Sequence, residues 1–137
     1  MKSLKYEASQ NKPEIVLSIE ENIFRIKGKS APEDVRELFY PVIEWLTLFA
    51  EELKTKNPYT SARPLTFTID LAYFNSSSAK FLYDIFIILK DIMENDIPVT
   101  VEWHYDEEDI DLKEAGEDMA LLSELEFKYC AKNRLDS

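Results

Sequence analysis

The sequence predicts a small α/β fold of the order ββαβαβαβ, a mixed β-sheet with helices packed on it. Residues 65–72 alternate between apolar and polar side chains, which is typical of a strand with one buried face. Apolar residues then recur at helical spacing over 82–93, and 97–103 alternate again as a second strand. Such a crossover is right-handed and joins parallel strands. The serine-rich turn 75–78 therefore lies at the carboxyl end of the first strand.

The segments on either side of this βαβ unit supply the remaining elements. Apolar and polar side chains alternate in residues 15–19 and again in 24–28, on either side of a polar turn. This pattern predicts an antiparallel hairpin. Residues 30–33, Ser-Ala-Pro-Glu, have the form of a capping box, and they predict the start of a long helix that contains Pro41. A short helix and a last strand over 125–129 complete the fold.

Composition limits the number of domains and the class of partner. The 137 residues fit one folded domain over 13–137, preceded by a flexible segment 1–12. The net charge of −11 disfavours nucleic acids and anionic membranes, because both are negatively charged. Without a signal-peptide pattern or a long apolar run, the chain is expected to be soluble and cytoplasmic. The acidic stretch 106–118 is interpreted as a solvated face, since it lacks the ligand order of an EF-hand.

The serine-rich turn is the strongest candidate for a functional site. Asn75, Ser76, Ser77 and Ser78 suit a helix N-cap, and three adjacent hydroxyls also suit phosphorylation. A phosphate adds about 1.5 to 2 negative charges, which a helix N-terminus tolerates and a partner packed over the turn does not. The turn can therefore serve as a cap, as a modification site or as both.

His104 and Asp106 follow the second strand and raise the question of catalysis. With Ser76 they would resemble a hydrolase triad, but strand alternation turns Trp103 and His104 to opposite faces and no oxyanion-hole motif accompanies the serine. A metal site would need more nitrogen or sulfur ligands than one histidine and the distant Cys130 can offer. The sequence therefore predicts no catalytic residue, no metal and no cofactor, and Cys130 is interpreted as a small buried hydrophobe.

Several motifs, taken in order, resemble the landmarks of the SiaC family of regulatory phosphoproteins. They are Ser30-x-Pro32-Glu33, Phe39 and Trp45, Tyr73-Phe74-Asn75-Ser76-Ser77-Ser78, Trp103-His104-Tyr105-Asp106, and Gly116-Glu117. The resemblance extends from about Pro13 to Ala131. It implies a STAS-like sandwich similar to the anti-sigma factor antagonists, and hence a single STAS-like regulatory domain over 13–137.

The resemblance also implies a function as a non-enzymatic signalling adaptor. In such a switch a dedicated serine/threonine kinase and a phosphatase control one hydroxyl, and the unphosphorylated form binds and activates an output partner. In this family the partner is a diguanylate cyclase, which implies cyclic-di-GMP signalling and biofilm control. Ser76 aligns with the family's phosphoacceptor, and Ser77 is the second candidate because the anti-sigma factor antagonists indicate a slightly different register.

The residues around the turn are expected to bind the partner. They are Tyr73, Phe74, Asn75, Ser77, Ser78, Lys80, His104, Tyr105 and Asp106. Two other functions remain open on the residues alone: a small hydrolase-like enzyme that uses Ser76, His104 and Asp106, and a scaffold protein without modification.

Overall fold

A computed structural model describes residues 1–133 and arranges them as alternating strands and helices after an initial three-stranded meander. The strands are β1 (Leu4–Tyr6), β2 (Glu14–Ser18), β3 (Ile23–Ser30), β4 (Leu65–Phe74), β5 (Val99–Asp106) and β6 (Phe127–Lys132). The helices are α1 (Val35–Leu53), α2 (Ser76–Glu94) and α3 (Ile110–Ser123). None of the helices within 1–133 has both the length and the hydropathy that a membrane span requires.

The strands form one mixed sheet whose spatial order is the order of the sequence. The pairs β1–β2 and β2–β3 are antiparallel, whereas β3, β4, β5 and β6 are mutually parallel neighbours. Right-handed crossovers between successive parallel neighbours place all three helices on the same side of the sheet. We call the other side the open face. The predicted mixed α/β class is therefore confirmed.

The core lies between the sheet and the helices, and Trp103 on β5 is at its centre. This side chain is 1% exposed, and its ring lies 5.9 Å from that of Phe74, 6.4 Å from that of Phe86 and 5.9 Å from that of Phe127. Its indole nitrogen donates a hydrogen bond of 3.0 Å to the carbonyl oxygen of Leu112 on α3. One tryptophan therefore joins α2, α3, β4 and β6.

The first residues contain a strand that the sequence prediction lacks. Leu4–Tyr6 pair with 15–17 of β2, and the indole of Trp45 donates a hydrogen bond of 2.8 Å to the carbonyl oxygen of Lys2. Lys5 also forms an exposed ion pair with Glu21. The expectation of a flexible segment is thus wrong for Leu4–Tyr6, because order there comes from pairing at the sheet edge. The element order is βββαβαβαβ.

Helix α1 begins later than the capping-box pattern predicts. Ser30 is the last residue of β3 and is fully buried, so it does not cap the helix. The N-cap is Asp34, whose carboxylate accepts a hydrogen bond of 3.0 Å from the backbone nitrogen of Glu37. Pro41 lies inside α1, as predicted. The prediction that Ser30 caps the helix is wrong because its hydroxyl bonds to a residue of another element, described below.

The assignment of Asp34 can be tested by helix stability. Asp34→Ala is expected to lower the free energy of unfolding by about 0.5–2 kcal/mol, because an orphan backbone N–H loses its acceptor. The measurement is chemical denaturation followed by circular dichroism. Glu33→Ala removes the same charge from the neighbouring exposed position and is expected to have a smaller effect. Equal losses in the two variants would contradict the cap assignment.

Candidate functional site at the serine turn

The turn between β4 and α2 places its three serines in different environments. Asn75 is the N-cap of α2, and its side-chain oxygen accepts a hydrogen bond of 2.8 Å from the backbone nitrogen of Ser78. Ser76 and Ser77 are exposed, whereas Ser78 is fully buried. Two hydroxyls are therefore accessible to a modifying enzyme, and the third is enclosed in the protein.

Ser78 anchors the turn to the end of β3. The hydroxyl of Ser78 donates a hydrogen bond of 3.1 Å to the carbonyl oxygen of Ser30. Its oxygen also lies 2.8 Å from the hydroxyl oxygen of Ser30, within hydrogen-bond distance. The same carbonyl accepts a hydrogen bond of 3.0 Å from the backbone nitrogen of Asn75. Because these bonds are shielded from water, they fix the backbone that presents Ser76 and Ser77.

Exposed aromatic side chains flank the accessible serines. Tyr73, near the end of β4, is 53% exposed, and Tyr40 on α1 is 55% exposed. The ring of Tyr40 lies 5.7 Å from that of Phe81, one helical turn after Ser77. Large exposed aromatic groups are enriched at protein–protein interfaces. We call this region the turn surface, and it comprises Tyr40, Tyr73, Ser76, Ser77 and Lys80.

Lys80 distinguishes the two exposed serines. It lies four residues after Ser76, and side chains at this spacing share one face of a helix. Its ammonium nitrogen is 3.0 Å from a carboxylate oxygen of Asp84 and 4.9 Å from the ring centre of Phe81. A phosphate on Ser76 would therefore lie beside a flexible cation, whereas the residue four positions after Ser77 is Phe81.

The other residues expected to bind a partner have clear intramolecular contacts. Phe74 packs edge-on against Trp103, and Tyr105 is half-buried against the core. Asp106 accepts a hydrogen bond of 2.9 Å from the backbone nitrogen of Glu108, in the turn that leads to α3. These contacts position the carboxyl end of β5, and a role of Phe74, Tyr105 and Asp106 in partner binding stays a prediction.

His104 lies on the open face, while Trp103 is buried under the helices, as strand alternation predicts. One ring nitrogen of His104 is 3.1 Å from a carboxylate oxygen of Glu102. The pairing of Ile69 with Trp103 places His104 beside Asp70, well before the serine turn along β4. The structure therefore does not bring Ser76 and His104 together as a hydrolase triad would require.

Cys130 lies opposite His104 in the parallel pair of β5 and β6. It is half-buried on the open face, so the interpretation as a small buried hydrophobe is wrong. Burial raises the pKa of its thiol above the usual value, and the carboxylate of Glu102 raises it further. Beside it, Lys132 forms an ion pair with Asp70.

Comparison with known proteins identifies the family. The model of the SiaC family regulatory phosphoprotein matches residues 6–132. The chain belongs to the SiaC family. An uncharacterised protein of Pseudomonas aeruginosa strain UCBPP-PA14, PA14_02130, is 30% identical over 118 residues, which is 86% of this chain and 87% of that relative. The family predicted from the ordered motifs is thereby confirmed.

Solved structures of the SiaC family have the same fold. Apo-SiaC from Pseudomonas aeruginosa superposes with a TM-score of 0.78 at 28% identity, over 96% of this chain and 99% of that one. A chain in the crystal structure of the diguanylate cyclase SiaD in complex with its activator SiaC, from the same organism, gives a TM-score of 0.82 at 29% identity. This match covers 94% of the present chain and 99% of the other.

The sequence does not predict the roles of two residues of this candidate site. Ser30 is a buried anchor of the turn, although its local sequence resembles a helix cap. Tyr40 contributes an exposed ring on the non-core side of α1. A signal for Tyr40 was available, because an aromatic residue off the apolar stripe of an amphipathic helix is exposed. The role of Ser30 depends on Ser78, which is remote in sequence.

Proposed function

We propose that this protein is a cytoplasmic, non-enzymatic signalling adaptor switched by phosphorylation of Ser76. Its unmodified form binds and activates a diguanylate cyclase, and a dedicated serine/threonine kinase and a phosphatase set the level of modification. The observation that carries the proposal is an exposed hydroxyl on an anchored helix start, in a chain similar to the activator of SiaD. The output is a change in cyclic-di-GMP and hence in biofilm formation.

The modified protein should keep its fold. The first turn of a helix has unpaired N–H groups and a partial positive charge, which favour an anion by about 0.3–1 kcal/mol. The backbone nitrogen of Ser78 already bonds to Asn75, so the N–H groups of Ser76 and Ser77 remain for a phosphate. Lys80 can exchange Asp84 for the phosphate, because it is on the same helix face as Ser76.

Partner binding should respond very differently to the phosphate. A partner that packs on the whole turn surface would cover the hydroxyls of Ser76 and Ser77, because both serines are exposed there. A phosphate of nearly two charges at that point blocks close approach and must lose its hydration when the surface is covered. The switch therefore acts at the contact surface and needs no rearrangement of the core.

Phosphosite mapping tests whether the turn is phosphorylated and which serine accepts the phosphate. Wild type, Ser76→Ala and Ser77→Ala are incubated with ATP and lysate of the source organism, and their intact masses are measured. Wild type and Ser77→Ala are expected to gain one phosphate, and Ser76→Ala none. Loss of the phosphate in Ser77→Ala alone would identify Ser77, instead of Ser76, as the phosphorylated residue. Retention of the wild-type phosphate in both variants would reject a switch at this turn.

A further inference from the structure

The open face gathers three different metal-ligand types on two adjacent strands. Glu102 and His104 are on β5, and Cys130 faces His104 from β6. A carboxylate oxygen, an imidazole nitrogen and the thiol sulfur of these residues all lie within 4.8 Å of one another. His104 and Cys130 are the single histidine and the single cysteine of the sequence. Strand pairing thus joins residues that are far apart along the chain.

We propose that Glu102, His104 and Cys130 bind one borderline divalent transition metal ion, of which Zn²⁺ is the best match. Zinc takes thiolate, imidazole and carboxylate ligands, and three protein ligands with a water molecule complete a tetrahedral site. With metal–ligand bonds of about 2.0–2.3 Å, the ligand atoms of a tetrahedron are about 3.5 Å apart. The three groups therefore need to close by only about 1 Å, which side-chain rotation can supply.

Glu102 and His104 contact each other, and the other contacts of the cluster are weak within residues 1–133. Nδ1 of His104 is buried and has no hydrogen-bond partner among residues 1–133. The other ring nitrogen, Nε2, faces the Glu102 carboxylate at 3.1 Å, so an ion shared by these two residues would replace that contact at Nε2 and leave the ring proton on Nδ1. Within the described part of the chain, the thiol of Cys130 has only a long hydrogen bond of 3.9 Å to the carbonyl oxygen of Lys128.

The surrounding charges also permit a cation. Lys132 is paired with Asp70, so these two residues neutralise each other beside the site. Glu102 and a Cys130 thiolate would offset the charge of a divalent ion, and Lys128 is exposed to solvent. Nitrogen and sulfur ligands favour zinc and related metals over Mg²⁺ or Ca²⁺, which prefer oxygen. The site is on the side of the sheet opposite the helices, so it is independent of the serine turn.

Cobalt titration tests this site. Co²⁺ is added to tag-free, reduced protein, and ultraviolet–visible spectra are recorded. One equivalent is expected to give a thiolate-to-cobalt charge-transfer band with strong visible bands of a four-coordinate ion, and Zn²⁺ should displace it. Because the chain has one cysteine, Cys130→Ser should abolish the charge-transfer band.

Further variants distinguish coordination by all three side chains from metal binding by the Cys130 thiol alone. His104→Gln and Glu102→Gln are each expected to weaken Co²⁺ binding at least about tenfold, the lower range seen when supporting groups of a metal site are removed. Glu107→Gln removes an exposed carboxylate outside the cluster and should leave binding unchanged. Absence of the charge-transfer band in wild type, or wild-type affinity in both His104→Gln and Glu102→Gln, would overturn the proposal.

Discussion

Ser76→Asp is expected to weaken binding of the diguanylate cyclase by about 10- to 100-fold, because a partner that covers the added carboxylate removes its hydration, at a cost of roughly 1.4–2.8 kcal/mol. Ser76→Ala should bind as the unmodified wild type does and should resist inactivation by the kinase. The two variants should melt close to wild type, since Ser76 is exposed and the turn is fixed by Ser30 and Ser78. Isothermal titration calorimetry with the SiaD-like cyclase of the same organism measures the affinities.

The matched control for this effect is Ser61→Asp. Ser61 is exposed in the loop before β4, at the opposite end of that strand from the serine turn. The variant adds the same charge to a protein of net charge −11, and we expect it to bind the cyclase with wild-type affinity. If Ser61→Asp weakens binding as much as Ser76→Asp, the effect comes from total charge and the turn surface is not the contact.

Gly116→Ala is expected to destabilise the protein by about 1–3 kcal/mol, the usual cost of an overpacked core. A methyl group at this position of α3 would meet the indole of Trp103 at 2.6 Å. The indole cannot move away easily, because it bonds to Leu112 and stacks on Phe127. The clash should outweigh the helix preference for alanine, which is about 1 kcal/mol. Denaturation in urea measures the loss.

A double-mutant cycle shows whether the indole causes this loss. The closest atoms to the added methyl group belong to the five-membered ring of Trp103, which phenylalanine lacks. Gly116→Ala should therefore cost less in a Trp103→Phe background than in wild type, with a coupling energy of at least about 0.5 kcal/mol. An equal cost in both backgrounds would assign the loss to the helix backbone instead.

The centre of the fold could be predicted because its signals are local. The alternation of Leu65, Phe67, Ile69 and Leu71 and the helical spacing that follows them fix β4 and α2, and the structure buries these four residues. Strand β1 could not be predicted in this way, because three residues have too short a pattern and gain order by pairing with β2. Local sequence likewise could not separate a helix cap at Ser30 from a buried strand end.

In the candidate site too, features set by local sequence could be predicted, and features set by contacts between distant residues could not. The position of Ser76 at the start of a helix follows from the sequence, and the structure finds it there. The burial of Ser78 depends on how α2 is rotated over Ser30, which no local pattern records. The approach of Cys130 to His104 depends on the register between β5 and β6, which α3 separates in sequence. The pairings of Ser78 with Ser30 and of Cys130 with His104 were thus missed because they are tertiary, whereas the exposure of Tyr40 had a local signal.

Cyclase output under defined phosphorylation tests the central claim most directly. The SiaD-like cyclase of the source organism is supplied with GTP, and cyclic-di-GMP formation is measured at equal concentrations of unmodified protein and protein phosphorylated at Ser76. The unmodified protein should stimulate the cyclase, the phosphorylated protein should not, and phosphatase treatment should restore stimulation. Equal stimulation by both forms, or none by the unmodified form, would contradict the phosphorylation switch.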